Sequence, residues 1–298
     1  MQLTPEHISV ALILINVYVS YQGFSQLKSL FEDRYIFDVD RILIDRDYKR
    51  LVTSGFLHGG WAHLLLNMYS LYIFSAALGT PYIGLGILPY LFLYFISLVG
   101  GNLTALFVHR NHGDYRALGA SGAVSGVMFA AIVIFPGMEI SFIYPPIPIA
   151  GWVFALGYVL ISIYGSAVRL GNIGHEAHLG GAVTGMIAGI IFRPYAFMAQ
   201  PWLISSILIF MALFLLVIAR KPEYLFPGFL KSRLRYLWES RNHKGPQVSA
   251  AKGSRRSDFS SREEELNHLL DKLGKLGMKG LSEAERKRLK ELSDSRDL

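Results

Sequence analysis

The chain has 298 residues, 52% of them hydrophobic, and a mean hydropathy of +0.36; this is more apolar than a soluble domain of this size, so it reads as a membrane protein. It has no cysteine, which excludes disulfides, thiolate zinc sites and a cysteine nucleophile. The formal net charge of +7 lies in the C-terminal segment, since Arg220 to Leu298 holds 19 of the 29 basic and 12 of the 22 acidic residues, leaving the remainder neutral.

The leader Met1 to Ser9 has no Lys or Arg, so it lacks the basic start of a cleaved signal peptide and predicts a retained first span. Apolar stretches of spanning length fall at about 8–24, 62–79, 82–108, 120–136, 149–168, 176–193 and 201–219. The fourth and sixth are Gly-rich and short for a span of roughly 20 residues, which predicts that they sit inside the bundle beside longer neighbours.

The connection from Gln22 to Gly60 mixes six basic residues with six acidic ones. Its apolar members Phe24, Leu27, Leu30, Phe31, Tyr35, Ile36 and Phe37 recur with helical spacing, as in an interfacial amphipathic piece; the balanced charge favours a folded surface loop instead. At the second span, His58 stands at the mouth, and His63 and Asn67 form an i, i+4 pair on one face. Polar side chains this deep either glue helices together or face a functional cavity, and His and Asn are donors suited to holding an oxyanion.

Gly119-Ala120-Ser121-Gly122 opens the fourth span with a serine between two glycines, placed as a nucleophile would be if a base can reach it. The candidate base is His178, 57 residues on, at the head of the sixth span. Gly122 and Gly126 form a small-xxx-small pair, as do Gly181 and Gly185, with Gly189 extending the row, so two smooth faces can bring serine and histidine together. Ala123 and the lack of a preceding strand distinguish the motif from the Gly-x-Ser-x-Gly elbow of soluble hydrolases. Glu176 falls on a different helical face from His178, so the reading is a dyad. His175, at a helix mouth, is expected to be solvated or capping.

Together these motifs resemble the rhomboid family of intramembrane serine proteases, over about residues 8–193. The resemblance implies an all-α polytopic membrane protein with a six-helix rhomboid-like core. It implies Ser121 as nucleophile and His178 as general base. His63, Asn67 and the Ser121 backbone N–H would form the oxyanion site, with His58 and Gly119, Gly122, Gly181 and Gly185 in support. No metal or cofactor is expected. Partners would be single-span membrane proteins cut by the dyad, or, in the alternative of a catalytically silent relative, transmembrane helices merely bound. Two departures stand out. Lys49-Arg50 keeps an Arg of the first loop without the Trp that precedes it in many members, and Ser125 stands where some members place a Tyr that packs on the histidine. The fifth span, with Trp152 and Phe154, would be a lateral gate.

The expected organisation is a catalytic core over 1–195, a seventh transmembrane helix over 196–220, a basic interfacial segment and flexible linker over 221–262, and a small helical hairpin over 263–298. Ser261-xx-Glu264 and Ser282-xx-Glu285 match capping boxes. The basic tail suits anionic lipid; no motif supports nucleic acid. A prokaryotic cytoplasmic membrane is the expected location. The resemblance implies a cytoplasmic N-terminus, but this leaves nine core Lys and Arg outside and only Arg193 inside, against the positive-inside tendency. A re-entrant 201–219 segment would relieve part of that conflict.

Overall fold

The computed structural model describes residues 4–24, 33–81, 83–141, 147–168 and 174–220, together with 269, 282, 284, 285 and 288. Within the described residues, seven apolar helices follow in order: α1 Pro5–Phe24, α2 Trp61–Leu78, α3 Ile87–His109, α4 Ser121–Ile134, α5 Gly151–Val168, α6 His175–Phe192 and α7 Pro201–Arg220. By length and hydropathy alone, α1, α2, α3 and α7 qualify as spans. α4 has 14 residues, and all of them after Ser121 are buried, so it needs less length because protein surrounds it. The architecture is that of an all-α polytopic membrane protein.

α4 is the hub, packed against α6, α3 and α2, while α1 lies along α2, and α5 and α7 lie against α6. The contact between α4 and α6 is backbone on backbone. A Cβ at Gly181 would collide with the Gly122 carbonyl, one at Gly185 with Gly126, and one at Gly189 would stand 3.2 Å from Ala130 Cα. The two small-residue rows thus meet face to face.

At one end of the bundle, Tyr72 donates to Glu6 (3.0 Å), and Arg193 Nε donates to the Ile83 carbonyl (2.9 Å). At the other end the first loop folds over the helix mouths. Strand β1 (Phe37–Asp38) pairs antiparallel with β2 (Arg116–Ala117), and Asp38 caps the short helix Val39–Leu43 through the Arg41 N–H (3.0 Å). Phe37, Val39 and Ile42 are fully buried against Ala105 and Ala177. Arg50, 4% exposed, donates to the Ile36 carbonyl (2.8 Å), the Asp33 carbonyl (2.7 Å) and Asp47 (2.9 Å). The described part of the loop is therefore a folded cover, anchored by Arg50 without the Trp; residues 25–32, including Leu27, Leu30 and Phe31, lie outside the described residues. The strands, with a hairpin β3 (Glu139–Ser141) and β4 (Pro148–Ala150), were not foreseen, being too short to leave a period-2 pattern.

α7 is one unbroken helix of 20 residues, and near its C-terminus Ile218 packs on Val108 at the end of α3. Its Pro201–Ile218 stretch is long and apolar enough to cross a membrane. The chain divides into two units, 1–236 and 237–298. In the second, Ser282 and Glu285 form the expected capping box: the Ser282 N–H donates to Glu285 Oε2 (2.8 Å), and the Glu285 N–H donates to Ser282 Oγ (3.3 Å). The basic segment around Lys231 to Trp238, the linker and Ser261-xx-Glu264 lie outside the described residues.

Candidate active site

The site is built at the start of α4. Gly119 has φ +132, a conformation that favours glycine, and its N–H donates to the Ser54 carbonyl (3.0 Å). A Cβ there would also stand 2.8 Å from His63 Cε1, so the glycine is needed for both backbone and space. The turn delivers Ser121 as the first residue of α4, where backbone N–H groups have no partner within the helix. Its Oγ lies 2.7 Å from His178 Nε2, which α6 presents across the glycine contact. Ser121, His178 and His63 each remain partly exposed, so the pair is reachable.

The hydrogen bonds select tautomers for the other two histidines. The Gly59 N–H donates to His63 Nδ1 (3.4 Å), so a neutral His63 carries its proton on Nε2, the atom nearer Gly119. Ser20 donates its hydroxyl to the Phe56 carbonyl (3.1 Å) and therefore accepts from His58 Nδ1 (2.9 Å), while His58 Nε2 accepts from the Ala120 N–H (3.4 Å). His58 thus ties α1 to the turn before the serine, with both nitrogens occupied. Asn67 is buried one helical turn below His63, its Nδ2 donating to the His63 carbonyl (2.9 Å).

Glu176 is buried and faces away from the dyad, accepting from Ser166 (2.5 Å) and lying 3.4 Å from His109 Nε2. His109 in turn stacks on Tyr115 at 3.6 Å. His175 is 5% exposed, with its ring 5.8 Å from that of His178 and packed on Gly165, so the expectation of a solvated capping residue is corrected. The cause is that α5 covers this helix mouth, and nothing in the sequence marked that packing. The sequence reading also missed Tyr158 of α5, whose ring lies 6.1 Å from His178. Its signal was faint, one of two tyrosines in an apolar span. Among the described residues no three His, Asp or Glu gather as a metal site.

Residues 45–195 match the family described as the Rhomboid domain. The chain belongs to the rhomboid family. Among similar proteins, Rhomboid protein 1, mitochondrial, of Saccharomyces cerevisiae is 32% identical over 194 residues, covering 62% of this chain and 53% of the yeast protein. Putative rhomboid protease YdcA of Bacillus subtilis is 31% identical over 147 residues, covering 49% of this rhomboid and 67% of that protein. Rhomboid-like protease 5 of Toxoplasma gondii is 31% identical over 145 residues, covering 47% of the rhomboid and 16% of the parasite protein. The chain spans about half the length of the yeast relative. A second match, to a family of unknown function (DUF6576), covers residues 256–295 of the tail. Membership makes the chain an integral membrane protein, either an intramembrane protease or a silent relative of one. Since relatives include proteins named as mitochondrial, they do not single out the prokaryotic cytoplasmic membrane expected from the sequence.

Proposed function

We propose that this rhomboid is an intramembrane serine endopeptidase that cuts single-span membrane proteins with a Ser121–His178 dyad. The observation that carries this reading is the 2.7 Å contact between Ser121 Oγ and His178 Nε2 at a partly exposed helix mouth. Neutral His178 accepts the hydroxyl proton as Oγ attacks the substrate carbonyl, then returns it to the leaving amine. Water, deprotonated by His178, then attacks the acyl carbon; the bond to Ser121 Oγ breaks, His178 returns the proton to that oxygen, and the new carboxyl end is released. The negative oxygen of each tetrahedral intermediate is met by His63 Nε2–H, the Asn67 amide and the Ser121 N–H, the last aided by the positive end of α4. His58 and Gly119, Gly122, Gly181 and Gly185 act in support by fixing the turn and the helix contact.

A spanning helix hides its carbonyls in hydrogen bonds, and each unpaired group in hydrocarbon costs several kcal/mol. The rhomboid therefore selects substrates that unwind easily, with a small residue at the cut and a helix breaker nearby. The core over 1–195 carries the chemistry, the helix over 196–220 is an addition to it, and the basic segment 221–262, ahead of the tail 263–298, serves contact with anionic lipid. α5 serves as the lateral gate.

The test is cleavage of a tagged single-span protein by purified wild type, Ser121→Ala and His178→Ala. Each substitution should abolish product, and the double variant should be no worse than either, because the pair acts as a unit. Appreciable turnover by Ser121→Ala overturns the reading.

A further inference from the structure

Resting on the dyad reading, we infer that Tyr158 of α5 is a positioning residue for His178, so that the dyad is assembled only while α5 is seated against α4 and α6. The first observation is ring packing. Tyr158 lies 6.1 Å from the His178 ring at an interplanar angle of 30°, and it is itself held by Phe129 of α4 at 5.7 Å and Phe154 at 6.5 Å. It forms a wall beside the imidazole, and contacts of this kind restrict the ring orientations available to a side chain.

The second observation is a directed chain of hydroxyls. Ser125 donates to the Ser121 carbonyl (2.7 Å). Having spent its one proton there, Ser125 Oγ accepts from the Tyr158 hydroxyl at 2.6 Å. Tyr158 O–H, Ser125 O–H and Ser121 C=O thus run in series from α5 to the residue that bears the nucleophile. One side chain therefore touches the base with its ring and the nucleophile's backbone through its hydroxyl, fixing α4, α5 and α6 relative to one another. The position four residues after Ser121 is short here, and the space it leaves is where the Tyr158 hydroxyl enters.

The third observation concerns α5 itself. Val153, Ile161 and Tyr164 are exposed, and Trp152, Leu156 and Leu160 line an open groove toward Leu203, Ile207 and Phe210 of α7, so α5 is closely packed on only part of its surface. Displacing α5 withdraws the ring and the hydroxyl together, along with the Ser166 bond to Glu176 and the cover over His175. Substrate access and catalytic competence are thereby coupled through one residue: the site is poorly ordered while α5 is displaced and becomes competent when it reseats.

The test compares Tyr158→Ala, Tyr158→Phe and Ser125→Ala with wild type and Ser121→Ala in detergent. The readouts are the thermal midpoint, the rate of labelling by a serine-directed fluorophosphonate, and the pH dependence of that rate. Tyr158→Ala should label at least tenfold more slowly, since misplacing a reacting group by about 1 Å costs on the order of a hundredfold. The acid limb of its pH profile should move, because the imidazole has lost its neighbour. Tyr158→Phe should recover most of the lost rate through the ring, falling short by roughly the several-fold worth of one hydrogen bond, and Ser125→Ala should match it. A folded Tyr158→Ala protein with unchanged labelling rate and pH profile overturns the inference while leaving the dyad intact. If Tyr158→Ala does not fold, equal labelling rates for Tyr158→Phe, Ser125→Ala and wild type overturn it. Wild type that labels no faster than Ser121→Ala overturns the dyad reading instead.

Discussion

Gly181 of α6 lies directly against the Gly122 carbonyl of α4, with no space for a methyl group between the two backbones. Ser121 and His178 flank this contact, so the reach between them is set by how closely the helices can approach. Gly181→Ala should therefore be costly. The usual gain from replacing a helical glycine is about 1 kcal/mol, but the methyl would meet backbone, and overpacking of that kind costs about 1–3 kcal/mol or more. Gly157 of α5 is the control, because a Cβ there meets nothing within 4 Å. Thermal unfolding in detergent should show a lowered midpoint and slowed fluorophosphonate labelling for Gly181→Ala, and an unchanged or raised midpoint for Gly157→Ala.

Arg50 is the anchor of the first loop, and its partner Asp47 titrates accordingly. Burial alone would raise the Asp47 pKa, but hydrogen bonds from Arg50 and Lys49 outweigh it and hold the carboxyl below its ordinary value. A carboxyl depressed in the folded protein stabilises above its unfolded pKa and loses that contribution as pH falls through the folded value. The loop should therefore loosen in acid below the ordinary carboxylate range of about pH 4. Limited proteolysis between pH 3 and 7 should show loop cleavage increasing in acid for wild type, and a flatter, higher level for Asp47→Asn. Arg50→Ala, which removes the donor shared by the Ile36 and Asp33 carbonyls and Asp47, should lower stability by about 1–3 kcal/mol.

The glycine rows, the His63–Asn67 pair and the serine turn were legible because each is a local pattern with one physical meaning: small residues permit approach, and i, i+4 spacing sets a face. Tyr158 was not legible. Its meaning depends on which helix α5 packs against, and an apolar span carries no record of that. Arg50 was half legible, since its charge among balanced acids marked a folded loop, but its carbonyl partners at Asp33 and Ile36 follow from the chain's path. The paired strands Phe37–Asp38 and Arg116–Ala117 escaped for the same reason, being defined by a partner far away in sequence.

Glu176 should prove structural in spite of standing two residues from His178. Its carboxylate holds α5 through Ser166 and the end of α3 through His109, which is braced on Tyr115. Glu176→Ala leaves the buried Ser166 hydroxyl without its acceptor and takes the carboxylate away from His109, a change that costs on the order of 1–3 kcal/mol. The thermal midpoint should fall steeply. Below that midpoint the fluorophosphonate labelling rate should stay within a few-fold of wild type; a large loss of labelling in folded protein would make Glu176 part of the catalytic machinery.

His58 and His63, whose rings are 5.1 Å apart, should separate cleanly in function. His58 has both nitrogens committed, one to Ser20 of α1 and one to the Ala120 N–H, so it has no proton to offer a substrate. His63 accepts from Gly59 on Nδ1 and keeps Nε2–H beside the turn that carries Ser121. His63→Ala should thus lower kcat by about a hundredfold to a thousandfold, the usual cost of removing one oxyanion donor, with the folded state preserved. His58→Ala should instead lower the thermal midpoint by loosening α1 from the serine turn, with about 1–3 kcal/mol lost from groups left unpaired. The comparison is made on kcat and midpoint measured side by side. If His63→Ala kept full kcat, the oxyanion would have to be met by Asn67 and the Ser121 N–H alone. If His58→Ala lost kcat without losing stability, the tautomers assigned from Ser20 and Gly59 would be exchanged.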